Sequence, residues 1–152
     1  MSKASVKVVA RNRKALHEYH ILESWEAGVV LLGSEVKSLR DGSVSMSDSY
    51  ARVEHGEVWL YNLHIGVYGP SGPDAHELKR RRKLLLHRHE IRRLIGKAEQ
   101  AGLTLVPLEI YFRDGVAKVK LALAKGKRHR DKREVIKQRE ADREMARERK
   151  YR

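Results

Sequence analysis

The segment from Leu103 to Leu123 narrows the folds open to this chain of 152 residues more than any other stretch. Two runs of alternating apolar and polar residues, Leu103 to Phe112 and Val116 to Leu123, flank Asp114-Gly115. That dipeptide suits a type I′ turn, whose central residues both need positive φ, so the pattern predicts an antiparallel hairpin. Its spacing places Val106, Leu108, Ile110 and Phe112 inward with Ala117, Val119, Leu121 and Leu123, and turns Lys118 and Lys120 outward.

Shorter strands are predicted upstream. Tyr19, Ile21, Trp25, Ala27, Val29 and Leu31 alternate onto one face that Glu23 interrupts. Tyr50 to Glu54 and Glu57 to Ile65 form a pair around His55-Gly56, with Trp59, Tyr61, Leu63 and Ile65 sharing a face. Two helices are predicted. Ser34 to Arg40 has Ser34 as its cap and Asp41-Gly42 as its stop, and residues 88 to 101 carry Ile91, Leu94, Ile95 and Ala98 on one face before Gly102. The stretch from Gly66 to Pro73 reads as a surface loop. Six or seven short strands suggest a mainly β body, an antiparallel barrel of the oligonucleotide-binding type, because closure removes edge strands. An open α+β sandwich is the alternative.

Charge separates that body from the C-terminal remainder. Of 33 Lys and Arg and 20 Asp and Glu, 13 and 6 fall in residues 124 to 152, a net +7 of the total +13. The chain therefore divides into a barrel body, residues 1 to 123, and a basic tail, residues 124 to 152. The tail has few large apolar residues, so it is expected to be disordered alone. It also lacks proline and is rich in Glu, Arg, Lys and Ala, with Glu140–Arg143 and Glu144–Arg147 at i,i+3, so contact with a polyanion should order it as a helix.

An excess of +13 favours nucleic acid as the partner. Cysteine is absent, which excludes disulfides, thiolate zinc and cysteine nucleophiles. No apolar segment of signal-peptide or membrane-spanning type is present, so a cytoplasmic location is expected. His17 with His20 and His87 with His89 lack the i,i+4 spacing of a zinc helix, and neither a metal nor a cofactor is expected. Glu23 with Glu26 is the one close acidic pair on the first long strand, too little for a nuclease, so the chain is read as a binder and not an enzyme. The run Lys79 to Lys83 reads as too charged for burial and as a phosphate contact. Behind it Leu84 and Leu86 read as core, while Leu85 points the other way and could pack against an unstacked base. The aromatic residues show no surface stripe, so a stacking platform is not expected.

Several motifs occur together and in order. They are Asn12-Arg13-Lys14-Ala15, Glu26-Ala27-Gly28, Gly33-Ser34-Glu35-Val36-Lys37-Ser38-Leu39-Arg40, Asp48-Ser49-Tyr50, Arg82-Lys83-Leu84-Leu85-Leu86, Gly126-Lys127 and Asp131-Lys132-Arg133. From about Lys7 to the last residue the chain resembles the SmpB family of SsrA-binding proteins. The resemblance implies an adaptor that clasps the tRNA-like domain of tmRNA and delivers it, with elongation factor Tu, to stalled ribosomes for trans-translation. It further implies a tail that enters the empty mRNA channel beyond the decoding centre, meets ribosomal RNA near that centre and becomes helical on the ribosome.

Carried over by motif, the RNA contacts fall on Asn12, Glu26 and Leu85. Lys37, Arg40, Lys83 and Lys120 are added as cations in or beside the shared motifs. Gly126, Lys127, Asp131, Lys132 and Arg133 match the part of the tail that acts inside the ribosome, against ribosomal RNA. The residue before Asp131, often histidine in the family, is Arg130 here, with His129 one place earlier. A general RNA-binding or ribosome-assembly protein is the main rival reading.

Overall fold

A computed structural model describes residues 5–67, 77–98, 100, 102–127, 140–141 and 143–145. In chain order its elements are β1 (Val6–Arg11), α1 (Arg13–Glu18), β2 (Tyr19–Val29), α2 (Gly33–Arg40), β3 (Val44–Ser45), β4 (Tyr50–Glu54), β5 (Glu57–Tyr61), β6 (His64–Ile65), β7 (Arg82–Leu85), α3 (Arg88–Ala98), β8 (Leu103–Arg113) and β9 (Val116–Gly126). The main sheet runs β1-β8-β4-β5-β7-β2-β9, and a further β8–β9 pairing closes it into a ring of six strands, with β1 paired along the second half of β8. This is the antiparallel barrel expected from the sequence, and every pairing in it is antiparallel.

Both hairpins turn where the glycines place them. Asp114 and Gly115 have φ of 50° and 78°, and His55 and Gly56 have 50° and 76°, the positive pairs of a type I′ turn. Closure is weakest between β4 and β8, which meet only at Ala51–Leu105. Helix α3 lies over that seam, burying Leu94 and packing Ile91 and Ala98 on the core, as its periodicity predicts.

Two β-bulges correct the predicted faces. In β2 the register shifts between Ile21 and Glu23, so Tyr19 and Ile21 pack on a satellite cluster of Ala15, Val106, Leu108, Ala122 and Ala124, while Trp25 and Val29 face the barrel core. In β8 the shift between Pro107 and Glu109 does the same, sending Val106 and Leu108 outward to the satellite and leaving Leu105, Ile110 and Phe112 in the barrel with Ala117, Val119, Leu121 and Leu123. A bulge adds one residue to one strand and so exchanges faces beyond it, which strict alternation cannot foresee. Strand β9 also runs three residues past Leu123, because β2 offers partners as far as Tyr19 opposite Gly126.

Other corrections arise from local chemistry. Helix α1 is not evident from residue spacing; the Asn12 side chain caps it by accepting from the Ala15 N–H at 3.1 Å. Helix α2 is not capped by Ser34: the Glu35 carboxylate reaches back to accept from the Leu32 N–H at 2.8 Å. Gly42, at φ 76°, does supply the left-handed stop. The strand expected from Glu57 to Ile65 breaks at Asn62, whose φ is 58°, and β6 pairs instead with β3.

Within β5 the inward residues are Val58 and Leu60, both fully buried, and not Trp59 and Tyr61. Those two aromatics lie on the outer face, where the Arg81 guanidinium sits 4.2 Å from the Trp59 ring centre and Tyr50 stacks on Tyr61. An outer aromatic group therefore exists where no stripe was expected.

The largest correction concerns the run Lys79 to Lys83. Arg82 is fully buried, as is its partner Glu35 from α2. Alternation along β7 turns Arg82 inward, and Glu35 neutralises it there; the guanidinium also donates to the carbonyls of Leu63 at 2.5 Å and Leu78 at 3.3 Å. Leu84 is buried and Leu85 is 51% exposed, as the alternation predicts.

Candidate RNA-binding surface

Glu26 projects from β2 opposite Lys120 of β9. Its Oε2 accepts from the Tyr111 hydroxyl at 2.5 Å and from Arg113 Nε at 3.0 Å, both on β8. The Tyr111 bond is the main reason that the carboxyl is held below the usual carboxylate range, with the Arg113 charge adding to it. Burial and the Glu26 bond push the Tyr111 hydroxyl up to about 12. Among the described residues nothing donates to Oε1, and the side chain is 38% exposed. The arrangement is an ionised acceptor, partly exposed, with one oxygen that receives no donor among the described residues.

Two concavities meet at this carboxylate. One, of about 310 Å³, is lined by Val6, Trp25, Glu109, Tyr111, Arg113 and Lys120; the other, of about 410 Å³, contains Gly28, Leu85, His87, Glu90 and Lys118. Gly28 and Leu85 are register partners across β2 and β7. A Cβ on Gly28 would stand 3.2 Å from that of Leu85, so the glycine is what lets the exposed leucine lie down over β2. Glu26, Leu85 and Lys120, distant in sequence, are thus brought to one end of the barrel.

The remaining candidates lie elsewhere. Lys83 faces the outside of β7 and pairs with Glu57 at 3.0 Å. Lys37 and Arg40 are exposed on α2, and Arg40 stands 5.8 Å from the Phe112 ring centre beside a concavity shared with Ser5 and Lys7. Asn12 is buried: its Nδ2 donates to the carbonyls of Met46 at 3.2 Å and Pro107 at 2.9 Å, so both ends of the amide are used inside the fold. Gly126 ends β9, and the Lys127 N–H donates to the Glu18 carbonyl at 2.8 Å, fixing the root of the tail beside α1. Tyr19, opposite Gly126, is seven residues from Glu26 along β2, about 23 Å at strand rise. Asp131, Lys132 and Arg133 lie outside the described residues. Residues 140, 141 and 143–145 are helical and exposed.

The acidic pair does not act as a pair. Glu23 stands on the other face of β2 and is held by Arg93 at 2.5 Å and by Lys97 of α3, so it cannot share a metal with Glu26. Among the described residues no group of three or more His, Cys, Asp and Glu is placed to hold a metal ion, and no helix is long and apolar enough to cross a membrane. Tyr111 and Arg113, the two partners of Glu26, are residues that sequence reasoning missed. Their only signal was two polar tips at alternate positions, 111 and 113, near the turn of the final hairpin.

Comparison with known proteins bears on the family and the fold. A family model described as "SmpB protein" matches residues 9–151. The SsrA-binding protein of Pelotomaculum thermopropionicum is 57% identical over 143 residues, covering 94% of this chain and 94% of its own. That of Desulforudis audaxviator is 56% identical over 147 residues, covering 97% and 96%. A solved chain described as "tmRNA-SmpB: a journey to the center of the bacterial ribosome" superposes with a TM-score of 0.69 at 53% identity, covering 84% of this chain and 93% of that one.

Proposed function

The chain belongs to the SmpB family, and from that premise we propose that it binds tmRNA and acts with it on the ribosome in trans-translation. The family is one of RNA-binding proteins and not of enzymes. One observation carries the placement of the RNA: an open carboxylate oxygen of Glu26 and the exposed Leu85 share one end of the barrel, edged by Lys118 and Lys120. Cations at the edge meet phosphate, Leu85 packs on an unstacked base, and Glu26 accepts from base or sugar donors.

The finer reading assigns the barrel, which runs to the end of β9 and not to residue 123, to the tRNA-like domain, and the tail that leaves it, up to residue 152, to the ribosome. Asn12 acts through the fold, by holding α1 where the tail leaves the barrel. Lys37, Arg40 and Lys83 supply further phosphate contacts. The tail competes with mRNA for one channel and orders along ribosomal RNA when the channel is empty, with Gly126, Lys127, Asp131, Lys132 and Arg133 nearest the decoding centre. Delivery with elongation factor Tu and a cytoplasmic location complete the proposal.

Competitive binding at about 150 mM salt, where nonspecific phosphate contacts are weakened, tests the barrel reading. The tRNA-like domain should outcompete ordinary tRNA, and Glu26→Ala should narrow the gap. Equal binding of both RNAs, unaffected by the substitution, would identify a general basic RNA binder. A chain cut after Arg133 should fail to tag stalled peptides, and retained tagging would sink the channel reading.

A further inference from the structure

We propose that Tyr111 and Arg113 are positioning residues that turn Glu26 into a selective acceptor for an exocyclic amino group of an unpaired base. The inference rests on the RNA-binding reading above and deepens it. Glu26 stands among cations: Arg113 binds it, Lys120 faces it across the strand pair, and Lys118 lies on the neighbouring register position of β9. A free side chain there would fold onto the nearest lysine, and the carboxylate would be lost to an internal ion pair. Instead the Tyr111 hydroxyl and Arg113 Nε both donate to Oε2 from the β8 side, so the carboxylate is held toward β8 and Oε1 is left without a donor among the described residues. Tyr111 is itself buried, being 6% exposed.

An oxygen held in this way cannot donate. It therefore favours an edge that presents N–H, such as the N2 amino group of guanine or the N6 amino group of adenine, and disfavours one lined only by acceptors, such as the N7 and O6 edge of guanine. The flanking lysines meet the phosphates of the same strand and supply affinity that is indifferent to the base. Selection is thus assigned to the carboxylate, and its aim to Tyr111 and Arg113.

The test uses the full chain and the tRNA-like domain of tmRNA, with ordinary tRNA as competitor. Tyr111→Phe removes one hydroxyl from a buried ring, and Arg113→Lys keeps the charge but not the Nε geometry; thermal unfolding checks that both variants fold. In each, carbon NMR of labelled glutamate should show the Glu26 carboxyl titrating higher than in the wild type. The preference for the tRNA-like domain should fall about tenfold, the worth of one hydrogen bond to a charged group. Replacing loop guanosines one at a time by inosine, and loop adenosines by purine, should find an RNA that loses as much against the wild type and nothing further against Tyr111→Phe. If the Glu26 titration and the preference stay unchanged in both variants, the inference is overturned. If the wild type shows no preference for the tRNA-like domain, the proposed function fails instead, and the two failures are distinguishable.

Discussion

Two glutamates show how one residue type serves opposite ends in this barrel. Glu35 lies under the wall formed by α2 and β7 with both oxygens engaged: Oε1 accepts from the Leu32 N–H and from Arg80, and Oε2 from Arg82. Glu26 lies on the rim with Oε2 engaged and Oε1 open. Burial pushes the Glu35 carboxyl up, but the bonds from Arg80 and Leu32 and the Arg82 charge outweigh it and hold the group ionised. Both carboxylates are therefore charged, and the difference is what each leaves unsatisfied. A closed set of partners fastens the fold, whereas an open one waits for a ligand.

The sharpest way to break this comparison is to remove the inner charge. Glu35→Gln strands Arg82 in the core and should cost about 3–5 kcal/mol in urea unfolding. Replacing Arg82 by methionine in the same chain should recover much of that loss. A single variant as stable as the wild type would mean that the pair does not hold α2 to β7.

Acid sharpens the same contrast. The Glu35 carboxyl titrates below its ordinary value of 4.5, so its stabilisation is fully present above that value and is lost as pH falls through the lower, folded one. Unfolding free energy measured downward from about pH 6 should thus fall steeply only in the most acidic part of the range. The Glu35→Gln chain should lack that portion of the slope.

Smaller effects belong to the rim. Gly28→Ala brings a methyl to 3.2 Å from the Leu85 Cβ, so it should cost about 1 kcal/mol and, by moving Leu85, weaken binding of the tRNA-like domain. Leu85→Ala should lower that affinity with less change in stability, since the side chain is half exposed. Smallest in stability is Glu26→Gln, within about 0.5 kcal/mol, with a severalfold loss of preference for the tRNA-like domain. A large shift in its unfolding midpoint would place Glu26 with Glu35 and erase the distinction.

Much of the barrel is legible in the order of its residues. Asp114-Gly115 and His55-Gly56 carry their turn geometry in their own backbone preferences, and the faces of α3 and β9 arise from residue spacing alone, because such signals are local. The exposure of Leu85 is local too, since alternation turns it outward. Its apposition to Glu26 is not: only the β2–β7 register sets Leu85 beside Gly28 and near that carboxylate.

Three things were decided by tertiary structure. The bulges in β2 and β8 exchanged the cores that Ile21 and Val106 serve, because an unpaired residue depends on the partner strand and not on the bulged one. Arg82 went inside because Glu35, 47 positions away, neutralises it there, whereas a run of five cations reads from sequence as solvent-facing. Tyr111 and Arg113 came to Glu26 from 85 and 87 positions along the chain, and no spacing rule spans that distance. Short-range preference set the turns and the helices, while charge compensation and register, which need both partners in place, set the burial of Arg82 and the aim of Glu26.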